Sequence, residues 1–108
     1  MSCIIELKTK KDTFIVQSSN LTIIDCYADW CNPCKKFAEF YANFANENNK
    51  YGINYCKLNV ENEEFEEFTN LNNVTSLPTI LFFKNGKTLH SHVGFNMKQF
   101  KELVEKHK

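Results

Sequence analysis

The chain is poor in residues that break regular structure. Its 108 positions include three glycines and two prolines, so each of these five marks a particular place. Net charge is missing too. Thirteen basic residues balance thirteen acidic ones, and no overall field marks the chain for nucleic acid or an anionic membrane. Long apolar runs are also absent. The opening MSCIIELKTKKD lacks the apolar stretch of a signal peptide, and no span approaches the roughly 20 residues of a membrane helix. The closing VEKHK is neither a retention signal nor a lipidation motif. There is no internal repeat and no linker, so residues 1–108 read as one domain. Cysteine is the exception to this sparseness. Five are present, and an odd number leaves at least one thiol unpaired in any monomeric scheme. Without a secretory signal the expected setting is reducing and cytoplasmic, where permanent disulfide staples do not persist.

What the chain does contain is apolar material. It is 43% hydrophobic and 14% aromatic, with ten phenylalanines, enough to bury a core and to argue against disorder. CIIEL, Cys3 to Leu7, reads as an edge or first strand. KTKKDTFIVQSS reads as a short helix with Phe14 and Ile15 facing inward. LTIIDCYA, Leu21 to Ala28, is nearly all apolar and β-prone, the mark of a strand covered on both faces. Phe37, Phe40, Tyr41, Phe44 and Ala45 then recur at three- and four-residue spacing, one wide apolar face of a long helix. NENNKYG, with crowded Asn and Gly52, should end it. INYCKLNV, Ile53 to Val60, is the next strand, and NEEFEEFTNL is a short amphipathic helix with Asn62 as N-cap. TILFFK and KTLHSHV flank Asn85-Gly86, the strongest short signal for a two-residue hairpin. Met97, Phe100, Leu103 and Val104 line a last helix. The order β-α-β-α-β-α-β-β-α predicts an α/β fold, a central mixed sheet with helices on both faces. The frequent asparagines read as surface and loop composition.

One stretch carries chemistry. In DWCNPCKK, Cys31 and Cys34 lie three positions apart, a spacing shared by redox couples, half zinc sites and staples. A structural zinc needs two more ligands. Cys3, Cys26 and Cys56 are scattered singly, nothing pairs His90 and His92 with the cysteines, and there is no second CxxC. The pair falls where the buried strand ends and the long helix begins. A helix N-terminus offers free N–H groups and partial positive charge, which favour a thiolate. Cys31 gains most and reads as the exposed nucleophile that attacks a target disulfide. Cys34, one turn inside, reads as the shielded residue that resolves the mixed disulfide. Pro33 fits early in the helix, where its missing N–H costs nothing.

Two more residues bear on that chemistry. Asp25 lies inside the apolar run TIIDCY, where a carboxylate is expensive without a task or a partner. Burial would raise its pKa and let it exchange a proton with Cys34. Lys57, on the neighbouring strand, is a similarly placed base and a candidate partner, so a satisfied structural ion pair is the alternative. Pro78, in TSLPTIL, stands at a strand entry where a cis bond would mark a shaped loop, although a lone X-Pro is ordinarily trans. Cys26 and Cys56 read as inert core thiols, Cys3 as near the terminus, and Glu63, Glu64, Glu66 and Glu67 as a solvated face.

Assembled in order, these markers resemble the thioredoxin family over nearly the whole chain. WCNPC is similar to the family's W-C-G-P-C. Asp25 stands at its buried aspartate, Lys57 at the lysine partner, and LPT at Leu77–Thr79 matches its cis-proline loop. Gly86 and Gly94 fall on its two C-terminal glycines. The resemblance implies a thioredoxin fold, protein-disulfide reduction through a Cys31–Cys34 dithiol, and regeneration by an NADPH-dependent thioredoxin reductase. It implies no cofactor and no metal, and a monomer working on protein disulfides. It also implies a substrate groove formed by Trp30, Asn32, Pro33, Leu77, Pro78 and Gly94. Three departures stand out: Asn32 replaces the usual Gly, Glu39 replaces a helix-kinking proline, and NLNNVTS lacks the glycines often found before LPT. They bear on substrate range and potential. Two competing functions remain: a binding or scaffold subunit of an assembly, and a more oxidising, isomerase-like or glutathione-linked carrier.

Overall fold

In the computed structural model, which describes residues 3–108, one mixed sheet of five strands organises the chain in the order β1-β3-β2-β4-β5. The strands are β1 (Ile5–Glu6), β2 (Thr22–Tyr27), β3 (Asn54–Asn59), β4 (Thr79–Lys84) and β5 (Lys87–Val93). The helices are α1 (Asn32–Glu47), α2 (Glu66–Leu71) and α3 (Met97–His107). β3 runs parallel to β1 and β2, whereas β4 is antiparallel to both β2 and β5. β2 lies at the centre, and the whole run from Thr22 to Cys26 is buried, which is why it reads as continuous rather than alternating hydrophobicity.

Strand alternation splits the core between the two faces. On one face Ile23, Tyr55, Ile80 and Phe82 meet Phe37, Tyr41 and Ala45 of α1 and Phe100 and Val104 of α3. On the other, Ile24, Cys26, Cys56, Leu58 and Leu81 meet Phe65 and the flanking Phe68, Ile15 and Val16. Tyr41 ties α1 to the sheet: its hydroxyl donates to the Cys56 carbonyl at 2.8 Å and reaches the Ile23 carbonyl at 3.2 Å. Buried phenol is tolerated only with such partners. α1 continues through Glu39 without interruption.

Three sequence expectations are corrected. The first helical segment is a 3-10 helix, Lys10–Gln17, opened by a Thr9/Asp12 capping box. Its three-residue repeat aligns Lys11, Phe14 and Gln17 on one side. All three are exposed, so Phe14 points outward while Ile15 and Val16 pack on the sheet. Met97 is also exposed, because the first turn of α3 overhangs the rim beside Phe40 and Lys101 rather than the core. Finally, several asparagines do more than fill loops. Asn62 caps its helix through its side chain as expected, but Asn96 also caps α3 in this way, and Asn73 and Asn85 take left-handed backbone (φ 55° each). Asn73 follows α2 in the segment that lacks glycine; asparagine tolerates that conformation best among residues with a side chain. Among the described residues no helix is long and apolar enough to cross a membrane.

Candidate active site

The end of β2 delivers the chain to the N-terminus of α1 through Ala28, Asp29 and Trp30. Cys31 is the N-cap, in extended conformation, and its sulfur accepts the Cys34 backbone N–H at 3.2 Å. Asn32 and Pro33 occupy the first helical positions, both exposed. Pro33 sits where no intrahelical bond is forfeited. Cys31 and Cys34 form a disulfide with Cα atoms 5.2 Å apart. The sequence expectation of an exposed Cys31 is not met in this oxidised form: Cys31 is 4% and Cys34 2% exposed. The sulfurs are bonded to each other, and Tyr27, Val60 and Leu77 pack over them with Ala28.

What separates the two cysteines is the side from which each is approached. Cys31 lines an outer groove of about 520 Å³ with Trp30, Asn32, Pro33, Val60, Val74, Thr75, Ser76 and Leu77. Cys34 lines a smaller inner cavity of about 190 Å³ with Asp25, Tyr27, Lys35 and Lys57. The disulfide thus lies between a larger groove on the Cys31 side and a smaller pocket on the Cys34 side.

Asp25 is 1% exposed, and its Oδ1 has no hydrogen-bond partner among the described residues. Burial raises its pKa to about 7; the Lys57 charge opposes that rise and the Glu6 charge adds to it. The expected pairing of Asp25 with Lys57 needs correction. The Lys57 ammonium makes its ion pair with Glu6, at 3.5 Å, and lies 5.6 Å from the Tyr27 ring centroid. Its effect on Asp25 is longer-range. The physical reason is solvation: Glu6 and Lys57 each keep over a third of their side chains exposed, and a half-wet pair forfeits less hydration than a buried one.

The Leu77–Pro78 bond is cis, with Pro78 buried. The Gly94 N–H donates to the Pro78 carbonyl at 2.8 Å, which locks the start of β4 to the end of β5. Trp30, which lines the groove, is 66% exposed, and a large apolar side chain left open there suits a surface that is covered on binding. Sequence reasoning missed Val60, Val74, Thr75 and Ser76 in the groove, and Glu6 and Tyr27 beside the inner cavity. Val60 was accessible to it, since ligand sites gather at the carboxyl ends of parallel strands and Val60 directly follows β3. Glu6 had no local signal; it depends on strand order.

A family model described as thioredoxin matches residues 4–106. The chain belongs to the thioredoxin family. Thioredoxin 1 of Plasmodium falciparum is 36% identical over 86% of this chain and 86% of its own length. Thioredoxin-1 of Saccharomyces cerevisiae is 34% identical over 86% of this chain and 85% of its own. A solved structure of Plasmodium falciparum thioredoxin superposes with a TM-score of 0.84 at 31% identity, covering 96% of this chain and 99% of that one. The thioredoxin fold expected from the sequence is the fold observed. With its Cys31–Cys34 disulfide in place, this thioredoxin-family protein is a thiol–disulfide oxidoreductase that reduces protein disulfides by dithiol–disulfide exchange.

Proposed function

We propose the following division of labour for residues 1–108, read as a single thioredoxin domain. The Cys31 thiolate attacks one sulfur of a substrate disulfide, forming a mixed disulfide and expelling the other substrate sulfur as a thiolate. The Cys34 thiol passes its proton to the Asp25 carboxylate. The Cys34 thiolate then attacks the Cys31 sulfur, expels the second substrate thiolate and closes the Cys31–Cys34 disulfide. Two electrons leave the dithiol for the substrate, which ends as a dithiol. One observation carries this reading: Cys31 lines the outer groove, whereas Cys34 shares the inner cavity with Asp25. A base that titrates near 7 can both take and release a proton near neutral pH.

In this reading Trp30, Asn32, Pro33, Leu77, Pro78 and Gly94 receive an extended stretch of the substrate protein, and Lys57 tunes Asp25. A thioredoxin reductase using NADPH returns the disulfide to the dithiol. The protein works as a monomer in the cytoplasm, carrying electrons for redox homeostasis. The test is reduction of insulin disulfides with NADPH and a thioredoxin reductase. The wild type sustains turnover and Cys31→Ser does not. Turnover by Cys31→Ser equal to that of the wild type would overturn the role of Cys31, and no turnover in either would transfer the chain to the scaffold class.

A further inference from the structure

The sheet register sets three charged residues in one row. Glu6 on β1 is opposite Lys57 on β3, and Lys57 is opposite Asp25 on β2. Residues opposite each other across strands project from the same face and interact directly. Lys57 therefore stands between two carboxylates and has two ways to turn. It turns to Glu6, whose Oε1 lies 3.5 Å from its ammonium. Glu6 is itself held, because the Tyr27 hydroxyl donates to its Oε2 at 3.0 Å. The Tyr27 ring adds a cation–π contact with the same ammonium. Among the described residues Asp25 is left without a partner on Oδ1.

We propose that Glu6 is a positioning residue of the redox site: anchored by Tyr27, it draws the Lys57 ammonium off Asp25 and so leaves Asp25 free to exchange a proton with Cys34. This rests on the proton-exchange role given to Asp25 above. An Asp25 paired with Lys57 at contact distance would be held ionised and would accept the Cys34 proton poorly. The Glu6 carboxylate also raises the Asp25 pKa directly through its own charge, an effect separate from its hold on the ammonium. The other groups around Asp25 are Asp29, Lys35 and Cys34 at the inner cavity, Tyr41 from α1 and Cys26 on its own strand. On the far side, Ile80 of β4 separates Asp25 from His92 of β5 in the same row. Of these, Glu6 is the group that holds the ammonium.

The experiment uses the reduced protein and a chromogenic aromatic disulfide, which releases one thiolate on attack by Cys31 and a second on resolution by Cys34. The rate of the second release is followed against pH. In the wild type it follows an ionisation near 7 that Asp25→Asn removes. Glu6→Gln, which keeps an oxygen for the Tyr27 hydroxyl, moves that ionisation down by about one pH unit as Lys57 turns to Asp25. In a Lys57→Met background the same Glu6→Gln change moves it by less than half as much, because the effect runs through the ammonium. If Asp25→Asn leaves the wild-type ionisation in place, the Asp25 role itself fails. If that ionisation belongs to Asp25 but Glu6→Gln does not move it, Glu6 is no positioning residue. An equal shift with and without Lys57 would also overturn the proposal, leaving only the direct field of Glu6.

Discussion

Replacing Asp25 with asparagine should stabilise the oxidised protein above neutral pH, and the effect of the substitution should become more favourable as pH rises. Burial raises the Asp25 carboxyl from its ordinary 3.8 to about 7. The folded state therefore holds a proton that the unfolded chain has released across that window. Stability linked to this group is intact below about pH 4 and is lost as pH climbs through about 7. A rise of about three pH units, at about 1.4 kcal/mol each, is a loss of about 4 kcal/mol in the ionised form. The side-chain amide of the variant would carry no charge at any pH. It would still be buried beside the space where Oδ1 lacks a partner, which offsets about 1–2 kcal/mol of the gain. The expectation is a net gain of about 2–3 kcal/mol at about pH 8 and a net loss of about 1–2 kcal/mol at about pH 4, a swing of about 4 kcal/mol. Urea unfolding at both pH values measures it, and the other carboxylates cancel in the difference between variant and parent. A gain that changed by less than about 1 kcal/mol between the two would refute the reasoning. It would mean that Asp25 is ionised and well paired in the folded protein.

Other substitutions probe separate links of the argument. Phe37→Ala removes a ring packed against Phe40, Tyr41, Phe95 and Phe100, with centroids 5.1–6.0 Å away; it should cost about 3–5 kcal/mol in denaturant unfolding, and a loss under about 1 kcal/mol would show that α1 is not held by this cluster. Gly94→Ala has open space for its methyl but a φ of +86°, so its cost of about 1–2 kcal/mol is purely conformational; an unchanged unfolding midpoint would contradict the assigned backbone. Asn32→Gly loosens the loop between the cysteines, and about 0.5–1 kcal/mol of extra freedom in the open dithiol raises the reduction potential by about 10–20 mV. Equilibration with a glutathione buffer reads that shift, and an unmoved potential would reduce Asn32 to a tolerated replacement.

Much of this was legible before any coordinates. β2, α1 and the β4–β5 hairpin carry strong local signals: an unbroken apolar run, a helical stripe of aromatics, and Asn85-Gly86 with both residues at positive φ. The cysteines were legible because a strand-to-helix junction is visible in the periodicity on either side of them. Phe14 was misread because an apolar residue in a short segment was assigned the α-helical period, whereas the segment follows the 3-10 one. The Lys57 contact was misread for a different reason. Sequence gives no strand order, so nothing indicated that β1 would lie on the far side of β3 and bring Glu6 into competition with Asp25. The groove residues Val74, Thr75 and Ser76 were hidden similarly, in a loop with no period of its own. Local physics reached the elements, while neighbours across the sheet needed the fold.

The central claim is that the two cysteines have unequal roles, and trapping of the mixed disulfide tests it most directly. Reduced Cys34→Ser and reduced Cys31→Ser would each be mixed with a disulfide-bonded protein and quenched with acid. Mass spectrometry would then locate any adduct. The account predicts a stable adduct through Cys31 in the Cys34→Ser protein and little or none through Cys34 in the Cys31→Ser protein. Comparable adducts in the two variants, or an adduct favouring Cys34, would contradict it.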